Sequence, residues 1–189
     1  MYGSQAMWPL LAEVLEAVDV PILAAGGLAD GRGMAAAIAF GAAGVRMGTR
    51  FVATAEAGAH PVYKDAIARA THGGTVLTDK FAVGWPDPVG TSRVLRSALQ
   101  RSESLPEGTV VGSITIGPTT TEVPRFGFVP ALRDAEGDIE AWPLYAGESA
   151  ALIHAVEPAR DIVERLETDA TRLLRRAADA LTPESEPAP

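Results

Sequence analysis

Two short apolar runs, each ending in glycine, organise the first third of the chain. Val20 to Ala25, VPILAA, stops at Gly26-Gly27, and Gly44 to Met47 stops at Gly48-Thr49. A short run without polar alternation predicts a strand of a parallel sheet buried on both faces, since alternation arises where one face meets water. Between the runs, Asp30 is placed to cap a helix from about Gly31 to Phe40, with Gly41 at its C-terminal stop. Ahead of them, Pro9 to Val18 predicts a helix: proline suits its first turn, and Leu10, Leu11, Val14, Leu15 and Val18 recur at helical spacing. His60-Pro61 opens another helix through Ala70. Helix, strand, helix, strand, helix with tight connections is the pattern of right-handed α/β units around a parallel sheet.

From Thr75 the pattern changes. TVLTDKFAVGWPDPVG is turn-rich and aromatic, Ser92 to Arg101 predicts a short helix, and Thr109 to Ile116 predicts an isolated strand. Prolines at 118, 124, 130 and 143 punctuate the remainder. Ser149 to Val156 reads as a further short helix. Pro158 then starts a long amphipathic helix with apolar positions Ile162, Val163, Leu166, Ala170, Leu173, Leu174, Ala177 and Leu181. The expected organisation is α/β units over 1–74, a lid or small subdomain over 75–147, C-terminal helices over 148–181 and a frayed tail over 182–189.

Composition narrows the function classes. With 189 residues there is room for one domain with a real core. The net charge of -8 argues against nucleic acid, which requires clustered Lys and Arg. Cysteine is absent, which excludes disulfides, thiolate metal sites and a Cys nucleophile. The N-terminus has no basic segment ahead of its apolar run, and no stretch approaches the length of a membrane span. A cytoplasmic location is expected.

The chemistry rests on the two glycine pairs. Consecutive parallel strands set their C-terminal ends side by side, and ligands gather at that edge. Glycine lets a backbone N–H approach an anion closely, and the Thr49 hydroxyl adds a donor. Gly26, Gly27, Gly48 and Thr49 are therefore the candidate phosphate site, read against the alternative of two ordinary turns. Arg46, in the second strand, could reach the same phosphate or pair with a carboxylate, and periodicity does not decide its side. His60 reads as a residue opening a helix, His72 as a loop residue, and His154 as part of a short helix. No two histidines have metal-ligand spacing beside a carboxylate. Trp85 and Trp142 read as packing anchors; Tyr145 and Ser149 could lie near a substrate, with packing the favoured reading.

At these residues the sequence resembles a known family. VPILAAGGLADGRGMAAAIAFGAAGVRMGTRFVATAEAGAHPVYKDAI is similar to the C-terminal barrel segment of the nitronate monooxygenase, or 2-nitropropane dioxygenase-like, family. TVLTDKFAVGWPDPVGTSRVLRSAL and YAGESAALIHAVEPARDIVERL resemble later segments in the same order, so the likeness covers roughly residues 9 to 175. The resemblance implies an FMN-binding (β/α)8 TIM barrel that oxidises alkyl nitronates with molecular oxygen. Gly26-Gly27 would follow strand 7 and Gly48-Thr49 strand 8, with their amides on the FMN phosphate. Arg46 stands where many relatives carry Gln and some Arg. The family's catalytic histidine lies upstream of the segment matching LLAEVLEAV, and none of the three histidines here corresponds to it. No catalytic residue and no metal ligand is assigned.

Two of eight strands cannot close a barrel. The chain is therefore expected to be a truncated form whose activity alone stays open, completed by an N-terminal half or by further copies of itself. Two alternatives remain beside it. One is a barrel of the FMN-dependent enoyl-acyl-carrier-protein reductase kind. The other is a non-catalytic phosphate- or flavin-binding module that pairs with another chain.

Overall fold

The computed structural model describes residues 5–85 and 90–181. Part of the VGWPDP stretch, residues 86–89, and the expected frayed tail, 182–189, lie outside the described residues.

The first helix, α1, spans Met7–Ala17 and starts ahead of Pro9, which still falls in the first turn, where a missing N–H costs nothing. It leads into β1, Leu23–Ala25. The cap is as the sequence predicts: Asp30 Oδ1 accepts from the Gly33 amide at 3.0 Å and starts α2, Gly31–Ala39. At its end the Gly41 amide donates to Ile38 and the Ala42 amide to Ala37, satisfying carbonyls that the helix leaves open. Strand β2, Gly44–Arg46, runs parallel to β1 with Leu23 opposite Gly44, Ala24 opposite Val45 and Ala25 opposite Arg46.

This sheet corrects one expectation. The strands are not buried on both faces: Ala24 is buried, but Leu23 is 60% exposed and Ala25 and Arg46 are exposed too. Helices cover only the face of Ala24, Val45 and Met47, and nothing among the described residues packs on the other.

The Gly48-Thr49 pair is also not a plain loop. It begins a single-turn helix, α3, Gly48–Val52. Helix α4, Pro61–Ala68, follows with His60 as its N-cap.

Beyond α4, Thr75–Thr78 (β3) pairs antiparallel with Ser92–Leu95 (β4). The predicted helix over Ser92–Arg101 is therefore half strand, and its helical part is α5, Arg96–Glu103. Val94, Leu95 and Ala98 imitate helical spacing, but the β-branched TVLT segment supplies a ladder that wins over local propensity.

The strand foreseen at Thr109–Ile116 is β5, Val110–Ile116, and it is not isolated. It is the centre of a three-stranded sheet, flanked by β6, Thr119–Pro124, and β7, Ala135–Gly137. Four of the six residues of β6 face solvent with no buried neighbour in the run, so its sequence shows no apolar alternation. The expected helix over Ser149–Val156 is a 3-10 turn over Glu148–Leu152 that stops before His154. The last helix, α6, spans Ala159–Leu181 and packs on α2 through Ile162, Leu166 and Ala170, while Val163 and Leu181 are exposed. Gly31 makes that approach possible, because a Cβ there would lie 2.5 Å from the Asp169 Cβ.

Two apolar cores result. The larger joins α4, α5 and the three-stranded sheet to the segment 139–153, around Ile67, Leu95, Trp142, Leu144 and Ile153. The smaller lies between the parallel pair, α1, α2 and α6, and consists of Leu11, Ala24, Leu28, Ala37, Ala42, Met47, Ile162 and Leu166.

Candidate phosphate site at the parallel strand ends

The register of β1 and β2 brings the two glycine pairs to one edge. Gly26 and Gly27 follow Ala25 directly, and Gly48 lies two residues beyond its register partner Arg46. Gly26 and Gly27 have φ of +104° and +72°, which side chains rarely tolerate, so glycine is required there by the turn itself. A Cβ built on Gly26, Gly27 or Gly48 would meet nothing within 4 Å. The space over this edge is open.

Donors lie along that edge. Among the described residues the Gly27 amide makes no hydrogen bond, and the Gly48 and Thr49 amides sit in the first turn of α3, where no intrahelical acceptor exists. The Thr49 hydroxyl accepts from the Gly147 amide at 2.9 Å, so its own hydrogen remains available to donate. Buried Met47 anchors the end of β2 on its covered face, which turns Arg46 to the opposite, open one with Leu23 and Ala25. Arg46 forms no ion pair among the described residues, so the carboxylate partner considered for it is not found there.

His60 Nδ1 accepts from the Val62 amide at 3.2 Å as a helix cap. His72 lies in a turn ahead of Gly73, and His154 is exposed after the 3-10 turn. Trp142 is fully buried, while half-exposed Trp85 meets the Phe128 ring edge-on at 4.9 Å. The Tyr145 hydroxyl donates to the Phe128 carbonyl at 2.8 Å, and the Tyr63 hydroxyl donates to the Tyr145 carbonyl. Burial pushes Tyr145 up to about 12, so it stays a neutral packing phenol. Buried Ser149 lies on the same 3-10 turn. No helix among the described residues is long and apolar enough to cross a membrane.

Sequence reading missed Arg50. It is 4% exposed, two residues beyond Gly48, and joins α3 to the segment before α6. Its Nη2 donates to the carbonyls of Ala53 at 2.9 Å and Ala155 at 2.8 Å, and its Nη1 lies 3.4 Å from Glu157. Burial pulls its guanidinium below the ordinary arginine value, Glu157 opposing and Arg165 adding to the shift. The only signal was a single charge beside Phe51-Val52, which reads as surface.

The family described as nitronate monooxygenase matches residues 1–169. Nitronate monooxygenase npaC of Metarhizium robertsii is 38% identical over 109 residues, 54% of this chain and 30% of that protein. The (3aS,4S,5R,7aS)-5-hydroxy-7a-methyl-1-oxo-octahydro-1H-indene-4-carboxyl-CoA dehydrogenase of Mycobacterium tuberculosis is 30% identical over 93% of this chain and 58% of its own length. Its namesake in Rhodococcus jostii is 63% identical over 54 residues, 29% of this chain and 15% of that protein. FabK from Thermotoga maritima superposes with a TM-score of 0.67 at 29% identity, over 95% of this chain and 53% of FabK. Nitroalkane oxidase from Streptomyces ansochromogenes gives a TM-score of 0.62 at 29% identity, over 91% and 45%. The matches span no more than 58% of the length of these proteins. On the strength of the match over 1–169, this α/β chain belongs to the nitronate monooxygenase family of oxidoreductases.

Proposed function

We propose that the chain supplies the phosphate-binding strand ends of an FMN-dependent monooxygenase that oxidises alkyl nitronates with molecular oxygen. The observation that carries this reading is the register of Ala25 with Arg46, which sets Gly26-Gly27 beside Gly48-Thr49 under open space. The donor set suits a phosphate. The amides of Gly27, Gly48 and Thr49 and the Thr49 hydroxyl hold its oxygens, and Arg46 supplies countercharge on the open face. The flavin, when bound, supplies the redox chemistry. The residues here bind its phosphate end and fix its direction.

In this reading β1 and β2 are strands 7 and 8 of a (β/α)8 barrel, 75–147 is a lid, and the place of action is the cytoplasm. The other strands come from an N-terminal half, or from further copies of the chain. Exposed Leu23 beside Ala25 and Arg46, and the unpaired outer edges of the two-stranded sheet among the described residues, support this completion.

The test is a visible spectrum across a size-exclusion peak after incubation with FMN, followed by nitronate-dependent oxygen uptake. Flavin co-eluting near one per chain, with oxygen uptake, upholds the reading. A colourless peak overturns it for the chain alone.

A second reading is favoured by the 63% identity with the carboxyl-CoA dehydrogenase of Rhodococcus jostii. It keeps the cradle and changes the substrate to an acyl or enoyl thioester. Nicotinamide-dependent reduction of an enoyl thioester, without oxygen uptake on a nitronate, would select it.

A further inference from the structure

We propose that Arg50 is a positioning residue that sets the aim of the Gly48 and Thr49 amides. The proposal rests on reading the strand ends as a phosphate site. Helix α3 is five residues long, too short to persist on its own, so its direction is imposed by tertiary contacts. Arg50 makes two of them, to Ala155 and Glu157. One guanidinium nitrogen holds both the Ala53 carbonyl, which closes α3, and the Ala155 carbonyl of the strap leading to α6. The other faces Glu157, whose carboxylate is gripped by both Arg165 nitrogens at 2.7 and 2.8 Å. The backbone repeats the link: the Ala55 amide donates to the Glu157 carbonyl at 3.0 Å, and Thr54 bridges to Glu157 in parallel fashion.

Arg50 Nε is buried with no partner among the described residues. A donor left unpaired in the interior persists where the rest of the group is needed in place. The planar fork is what reaches two carbonyls and a carboxylate at once; a lysine ammonium at the same point cannot. The strap is thus tied to the cradle at two places, through Arg50 and through the contact of Thr49 with Gly147.

The test compares Arg50→Lys, Arg50→Ala and the exposed control Arg172→Met in the full chain. Flavin fluorescence quenching gives the FMN dissociation constant well below each melting temperature, and amide exchange is read over residues 48–55. Both Arg50 variants are expected to weaken FMN by about tenfold or more, as outer-shell supports do. Lysine should not rescue, and millimolar guanidinium should partly restore binding to Arg50→Ala. Exchange over 48–55 should quicken while α2 stays protected. Unchanged affinity in a folded Arg50→Lys overturns the proposal, as does a lowered melting temperature with unchanged affinity of the folded protein. Should the unaltered chain bind no FMN, the phosphate reading fails for the chain alone, and exchange decides: unquickened amides in Arg50→Lys overturn the positioning role.

Discussion

The Thr49 hydroxyl and the Gly147 amide meet at 2.9 Å across 98 residues of chain, at the point where β2 turns into α3. That contact uses the oxygen as acceptor and leaves its hydrogen for a ligand. Thr49→Val keeps the shape and removes both roles. It should cost about 1–2 kcal/mol in urea denaturation, the usual loss for an amide left without its partner, and should weaken FMN. Thr49→Ser should preserve both.

The two glycine pairs should respond differently to alanine. Gly27 has φ +72°, so Gly27→Ala should destabilise the chain by about 1–2 kcal/mol. Gly48 has no such backbone and opens a helix beneath empty space. Gly48→Ala should leave stability within about 0.5 kcal/mol and still weaken FMN, because its methyl enters the phosphate's volume. Equal losses of stability at both positions, by urea denaturation, would contradict this division.

Gly31→Ala tests the packing of α2 on α6. Its Cβ would fall 2.5 Å from the Asp169 Cβ and 3.0 Å from the Ala170 amide nitrogen, neither of which is the end of a flexible chain. Overpacking of this kind should cost about 1–3 kcal/mol in a urea titration.

Acid should loosen the strap before α6. The hydrogen bonds from Arg165 hold Glu157 below the ordinary value of 4.5; burial opposes them, and the charges of Arg165 and Arg50 add to the lowering. A carboxyl lowered on folding contributes stability that is present above its unfolded value and lost as pH falls through its folded one. Stability should therefore drop below about pH 4.5, and Glu157→Gln should flatten that part of the curve when melting temperature is followed from pH 7 to 3. Asp30 contributes in the same direction: burial works against its charge, but the Gly33 amide and Arg32 outweigh it.

The local signals were legible where chemistry is local. Asp30 capping α2, Gly41 ending it and His60 capping α4 follow from residue types at fixed offsets, and the structure has all three. The adjacency of the glycine pairs was legible too, since parallel neighbours must align their ends. What sequence could not supply was partnership at a distance. Val94 and Leu95 looked helical until Thr75–Thr78 paired with them, and β6 showed no apolar pattern because it is an exposed edge. Arg50 was invisible because its burial depends on Ala155 and Glu157, over 100 residues away. Leu23 read as core because the sequence pattern describes a sheet covered on both faces.

The two cores bear on cooperativity. Among the described residues, the smaller one rests on eight buried residues and the packing of α2 against α6, whereas the larger has nineteen and holds Trp142, Ile67, Leu95 and Leu144 fully buried. Trp8, its ring tilted 52° to that of Phe40 at 5.4 Å, reports on the first and Trp142 on the second. Heating should separate them: the Trp8 environment should change at a lower temperature than that of Trp142, as read with Trp8→Phe and Trp142→Phe variants. The strand ends that carry the glycine pairs belong to the half that melts first. A ligand held there would close the gap between the two transitions, so the merging of two melts into one would itself report occupancy.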